Sequence, residues 1–176
     1  MDHNDLNKED LVRHVELLNR EISKLQHSIK EADWVEGSLK QRTQLLNERI
    51  KELDCVYRAF RFLRKTGMSW SDKVQSIVDI LPEAWQHSRS ACARAIIHGR
   101  EFATQGFQES AWAQTSTIRM GDEPVGSVDV RYLKKFPDCD EGPFLRDERA
   151  LLDVVAECFG TILEIDALLQ RRETSR

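Results

Sequence analysis

The side chain with the most chemical potential in the chain is Arg94, which stands in the apolar run Ala91–Ile97 two residues after Cys92. A guanidinium in such a run must find a carboxylate or an anionic ligand, because an unpaired buried charge costs several kcal/mol. Asp129 and Arg131 lie in a second run, Val125–Tyr132, and Trp112 and Gln114 in a third, 112–120. Arg94, Cys92, Trp112, Gln114, Asp129 and Arg131 therefore form the expected ligand-binding set, with Phe102 and Phe107 beside Trp112 as apolar walls. The competing reading is structural, and the charges favour it: Arg94 pairs across strands with Asp129, provided the runs at 91–97 and 125–132 are neighbouring strands.

Other reactive residues do not assemble into a motif. His3, His14, His27, His87 and His98 are scattered, and none has a second ligand at a metal-binding spacing. Asp138-Cys-Asp-Glu-Gly142 has Glu148 six residues after its glycine, as a calcium loop would, but Pro143 and the earlier spacing break the pattern. Cys55, Cys92, Cys139 and Cys158 lie at least 19 residues apart, so paired-cysteine zinc sites are absent and reduced thiols are expected. Phosphate-binding, nucleophile-elbow and zincin motifs are also missing. The expectation is a non-enzymatic chain with no metal and no cofactor.

Composition narrows the partners. With 26 Lys+Arg against 30 Asp+Glu and a net charge of −4, the chain lacks the concentrated basic patch expected of a nucleic-acid binder. Its apolar runs are far shorter than the roughly 20 residues of a membrane span. Residues 1–20 contain Asp2, Asp5, Glu9 and Asp10 and no apolar signal core, so a cytoplasmic location is expected.

The elements that position these residues fall into two parts. Residues 1–66 hold one glycine, Gly37, and no proline. A strict 4-3 spacing through them selects Leu11, Val15, Leu18, Ile22, Leu25, Ile29, Ala32, Glu36, Leu39, Thr43, Leu46, Ile50, Leu53, Tyr57 and Phe60. Thirteen of the fifteen are apolar, against about six expected from the 40% apolar content. Such a pattern predicts a coiled coil, with the set from Leu11 to Ile29 plus Leu46, Ile50 and Leu53 as its dimerisation seam. Fifty helical residues span ~75 Å, too long to be sheltered by the rest of the chain, so a homodimer is expected. Gly37-Ser38 leaves two forms open, a continuous rod or a hairpin; retained heptad phase favours the rod.

The remainder reads as α+β. Ser69 or Ser71 can cap a helix from Trp70, ended by Pro82. Period-two patterning then predicts strands at 90–97, 100–104, 112–120 and 125–132, and a helix over 145–171. Strands in one run between helices imply an antiparallel sheet covered on one face. Alternation puts Ala93, Ala95, Val128 and Val130 on the covered face, and Arg94, Asp129, Arg131, Gln114 and Ser116 on the polar one. The domain boundaries are 1–66, 67–172 and a tail, 173–176.

Five segments then carry a family likeness: Leu46-Asn-Glu-Arg-Ile-Lys-Glu-Leu-Asp-Cys-Val-Tyr57, Asp79-Ile-Leu-Pro-Glu-Ala-Trp85, Ala91–Ile97, Val125-Gly-Ser-Val-Asp-Val-Arg-Tyr132, and Glu141-Gly-Pro-Phe-Leu-Arg-Asp-Glu-Arg-Ala-Leu-Leu152. Over about residues 39–172 the chain resembles GAF-like sensory domains with a leading signalling helix, as found in bacterial histidine kinases and other two-component proteins. The resemblance implies a dimeric cytoplasmic sensor, dimerising through helices 5–63 and 145–171, with a kinase or response regulator as partner and a small-molecule ligand in some members. Kinase motifs are absent, so the expectation is a stand-alone regulator or one whose output region lies elsewhere.

Overall fold

The computed structural model describes residues 3–174. With one glycine and no proline to interrupt it, the first third forms a single helix, α1 (His3–Arg64), continuous through Gly37 and Ser38. The hairpin alternative is thereby excluded. The chain divides into two compact units inside this helix, Met1–Leu46 and Asn47–Arg176, rather than at residue 66. The physical reason lies in Cys55 and Ala59, which are buried in the second unit's core and bind residues 47–64 to it.

Within the second unit, Ser69 caps α2 (Trp70–Ala84) by accepting a hydrogen bond from the Asp72 amide at 3.1 Å. Pro82 does not end this helix where expected; α2 runs two residues further, and the Trp85 amide closes on the Pro82 carbonyl. A 3-10 turn (Ser88–Ser90) precedes β1 (Ala91–Ile97), so Ser90 lies before the strand. His98 and Gly99, both at positive φ, make the tight turn into β2 (Arg100–Ala103). β3 (Trp112–Met120) turns through Gly121 and Asp122 into β4 (Glu123–Tyr132), which starts two residues earlier than its pattern predicts. The last helix, α3 (Arg146–Thr174), includes two residues assigned to the tail; Ser175 and Arg176 lie outside the described residues.

The sheet is antiparallel in the order β2-β1-β4-β3. α2 packs on β1 and α3 on β3, both on one face, over a core that includes Ile77, Leu81, Trp85, Val128, Val130, Leu152 and Phe159. The approach of α3 to the sheet is set by Gly160, where an added Cβ would collide with the Arg119 carbonyl of β3. The fold is α+β: a long N-terminal helix, a four-stranded antiparallel sheet and a C-terminal helix.

Candidate functional site

Register decides which side chains meet on the uncovered sheet face. Arg94 is paired with Asp129, and Cys92 with Arg131, so all four point to the same side. Asp129 accepts from Arg94 Nε at 3.3 Å through one oxygen and from Arg131 Nε at 2.6 Å through the other. Glu109 completes a ring, its two oxygens each 2.6 Å from an Nη1 of Arg94 or Arg131. Two cations and two anions balance.

The ring is closed over by the β2–β3 connection. A turn from Thr104 to Phe107, with Gly106 at φ 76°, swings Phe107 onto the guanidiniums, 4.7 Å from Arg94 Cζ and 5.9 Å from Arg131 Cζ. The Ser110 carbonyl accepts from Arg131, and the Gln108 carbonyl from Cys92 Sγ. The side chains of Arg94 and Arg131 are each 15% exposed and that of Asp129 4%. Burial works against the charge of Arg94, but Asp129 and Glu109 outweigh it and raise its pKa. The arrangement holds a carboxylate between two guanidiniums; it contains no nucleophile beside a base.

Trp112 and Gln114 are not part of this cluster. Trp112 pairs with Tyr132, Gln114 with Val130 and Ser116 with Val128, which places all three on the helix-covered face. The polar-face assignment of Gln114 and Ser116 is thus corrected: strand parity, shared with buried Ile118, overrides side-chain polarity. Gln114 is fully buried and donates to Glu141 at 3.1 Å, leaving its own Oε1 without a partner. Glu141 is in turn clamped by Arg149, whose hydrogen bonds hold the carboxyl below its ordinary pKa against the effect of burial. Asp140 accepts from the Arg146 amide, so two of the acidic groups in the calcium-like loop are already engaged.

A second polar cluster escaped the sequence reading. Glu148 is 1% exposed and accepts from the Gln86 amide at 2.7 Å, the Leu145 amide at 2.7 Å and the Tyr132 hydroxyl at 3.1 Å. Burial outweighs these three donors and raises its pKa. Tyr132 stacks on Phe144, and His87 stacks on Phe136 with ring centroids 3.6 Å apart. The available signal was position: Glu148 is the third residue of α3 and bonds back to the amide of the residue before the helix, half of a capping box. This carboxylate ties the end of α2, the end of β4 and the start of α3 together. Its role is architectural. Among the described residues no group of three His, Cys, Asp or Glu side chains is placed to hold a metal ion.

The seam residues are exposed. Leu11, Val15, Leu18, Ile22, Leu25, Ile29, Leu46, Ile50 and Leu53 range from 49% to 69% exposed. Inside the second unit the same helix carries two apolar stripes. Cys55 and Ala59, with Phe62 and Leu63 partly buried, face the core, whereas Ile50, Leu53, Tyr57 and Phe60 do not. The seam therefore differs from the face that packs on the domain. On α3, Ile165, Leu168 and Leu169 are exposed as well.

Among the described residues, no helix is long and apolar enough to cross a membrane. Comparison with family models, with curated proteins and with solved structures finds no match for this chain.

Proposed function

We propose that the chain is a cytoplasmic, homodimeric, GAF-like sensor or regulatory module of bacterial signal transduction, without catalysis of its own. Two copies associate along α1, and ligand or partner binding to the sheet domain biases how the paired helices pack. The exposed seam is the observation that carries this reading: residues 50–60 are apolar on two faces, and the domain uses one. Each large apolar side chain left in water forgoes roughly 1.5–3 kcal/mol of burial. A second helix of the same pattern recovers it. Four unbonded cysteines fit a reducing compartment. A kinase or response regulator is the expected recipient of the signal, as the resemblance to sensory domains of two-component proteins implies. Helix packing can respond only to a ligand or partner that binds one packing more tightly than the other.

The alternative is an adaptor of the same fold that binds protein and no small molecule. The neutral ring of Arg94, Arg131, Asp129 and Glu109 under Phe107 favours it, since an anionic ligand would first have to displace Glu109. Light scattering tests the shared core of both readings. A two-chain mass at micromolar concentration, lost in the double variant Leu18→Asp/Leu25→Asp, is expected; a one-chain mass for the parent protein sinks both. Native mass spectrometry of protein purified from its host separates them, through the presence or absence of a retained small molecule.

A further inference from the structure

The seam carries information about direction. In its 4-3 repeat, the positions that follow a gap of four are Val15, Ile22, Ile29 and Ile50, interrupted by Glu36 and Thr43 and ended by Tyr57. The other set, opened by Leu11 and continued by the positions that follow a gap of three, holds Leu18, Leu25, Leu39, Leu46 and Leu53, with Ala32 among them and Phe60 at its end. β-Branched residues are thus segregated from leucines. In a parallel two-stranded coiled coil the two layers have different geometries, and β-branched residues at the first with leucine at the second favour two strands. An antiparallel pair mixes the two positions in every layer, which gives segregation no purpose.

We infer that the partner of α1 is a second copy of this chain running parallel and in register, so that each seam residue meets its own counterpart. This rests on the dimeric reading above and adds direction and register to it. The polar positions define the register. In the aligned pair Thr43 faces Thr43 and Glu36 faces Glu36 of the second copy, which confines polar groups to two layers at the cost of like-charge repulsion in one of them. A slip of one heptad would set Glu36 against isoleucine and create a further mismatched layer; a buried polar residue at this position specifies register at a cost in stability. A parallel pair also brings two copies of α3 to the same end, where Ile165, Leu168 and Leu169 stand exposed. An antiparallel pair would separate them.

The test is disulfide trapping in the whole 176-residue chain, with exposed Cys139 replaced by Ser and one cysteine introduced at a time. Leu18→Cys and Leu46→Cys lie 28 residues apart, ~42 Å along a helix, so no single antiparallel register brings both to their own counterparts. On mild oxidation each variant alone should double its mass on a non-reducing gel, and the Cys139→Ser parent should not. Light scattering under reducing conditions verifies that each variant still assembles. If either cysteine fails to trap while the reduced protein has a two-chain mass, parallel in-register pairing is overturned and the dimeric reading stands. A one-chain mass for the unmodified protein overturns both.

Discussion

Among single residues, Asp129 and Glu109 make the same kind of bond to the same two arginines and differ in what water can do for them. Asp129 is almost wholly buried, whereas the Glu109 side chain is 63% exposed. Replacing Asp129 by Ala leaves two guanidiniums facing each other with little solvent, and about 3 kcal/mol of stability should be lost. Glu109→Ala should cost less than ~1 kcal/mol, because solvent screens an exposed pair. Equal losses in urea denaturation would show that the ring does not distribute its charge as described. His87 supplies a second test. Burial, and then the positive charge of Lys134, hold its pKa below the ordinary value. The unfolded chain therefore takes up the proton first as pH drops below about 6.5, and stability falls from there down through the depressed native pKa. His87→Phe keeps the ring on Phe136 and has no proton to accept. Its urea midpoint should decline less than the parent's between about pH 7 and about pH 6; parallel declines would remove His87 as the cause.

At the scale of elements, the sheet and α3 meet through Gly160, with no room for a methyl group between the helix and the Arg119 carbonyl. Alanine is the better helix former, by roughly 1 kcal/mol over glycine. Here close approach wins, and Gly160→Ala should destabilise by about 2 kcal/mol or more through displacement of α3 from β3. A rise in melting temperature for this variant would contradict the packing. Burial of Cys55 and Cys158 acts in the same region, pushing their thiols up to about 12 and about 11, so both should resist alkylation in the folded protein while Cys139 reacts.

For the molecule as a whole, the two units differ in where their stability comes from. The second has a core of its own. The first is one stretch of helix whose described side chains from Lys8 to Leu46 are none of them buried. Helices without tertiary partners are marginal in water. On the proposed pairing of α1 with a second copy, dilution should therefore lower the far-ultraviolet helix signal while the near-ultraviolet signal of buried Trp85 persists. Loss of both signals together would mean that dimerisation and the folding of the second unit are a single transition.

The amino-acid pattern alone determined the long helix, the order and approximate ends of the four strands, and the need of Arg94 for an anionic partner. Each of these follows from local periodicity, from a cap such as Ser69, or from the demand that a charge inside an apolar run be paired. Only the tertiary structure decided the rest. Polarity suggested one face for Gln114, but hydrogen-bond register with Val130 fixed the other. Glu148 stood in the sequence only as a calcium-loop spacing; the start of its own helix supplies one donor, the Leu145 amide, but the fold alone brings the Gln86 amide and the Tyr132 hydroxyl to it. Phe107 and Glu109 cover Arg94 because a turn at Gly106 carries them there, and no spacing rule links position 94 to position 109. What periodicity specifies is the direction in which a side chain leaves its own backbone; which donors, carbonyls and rings it then meets depends on how distant segments fold together.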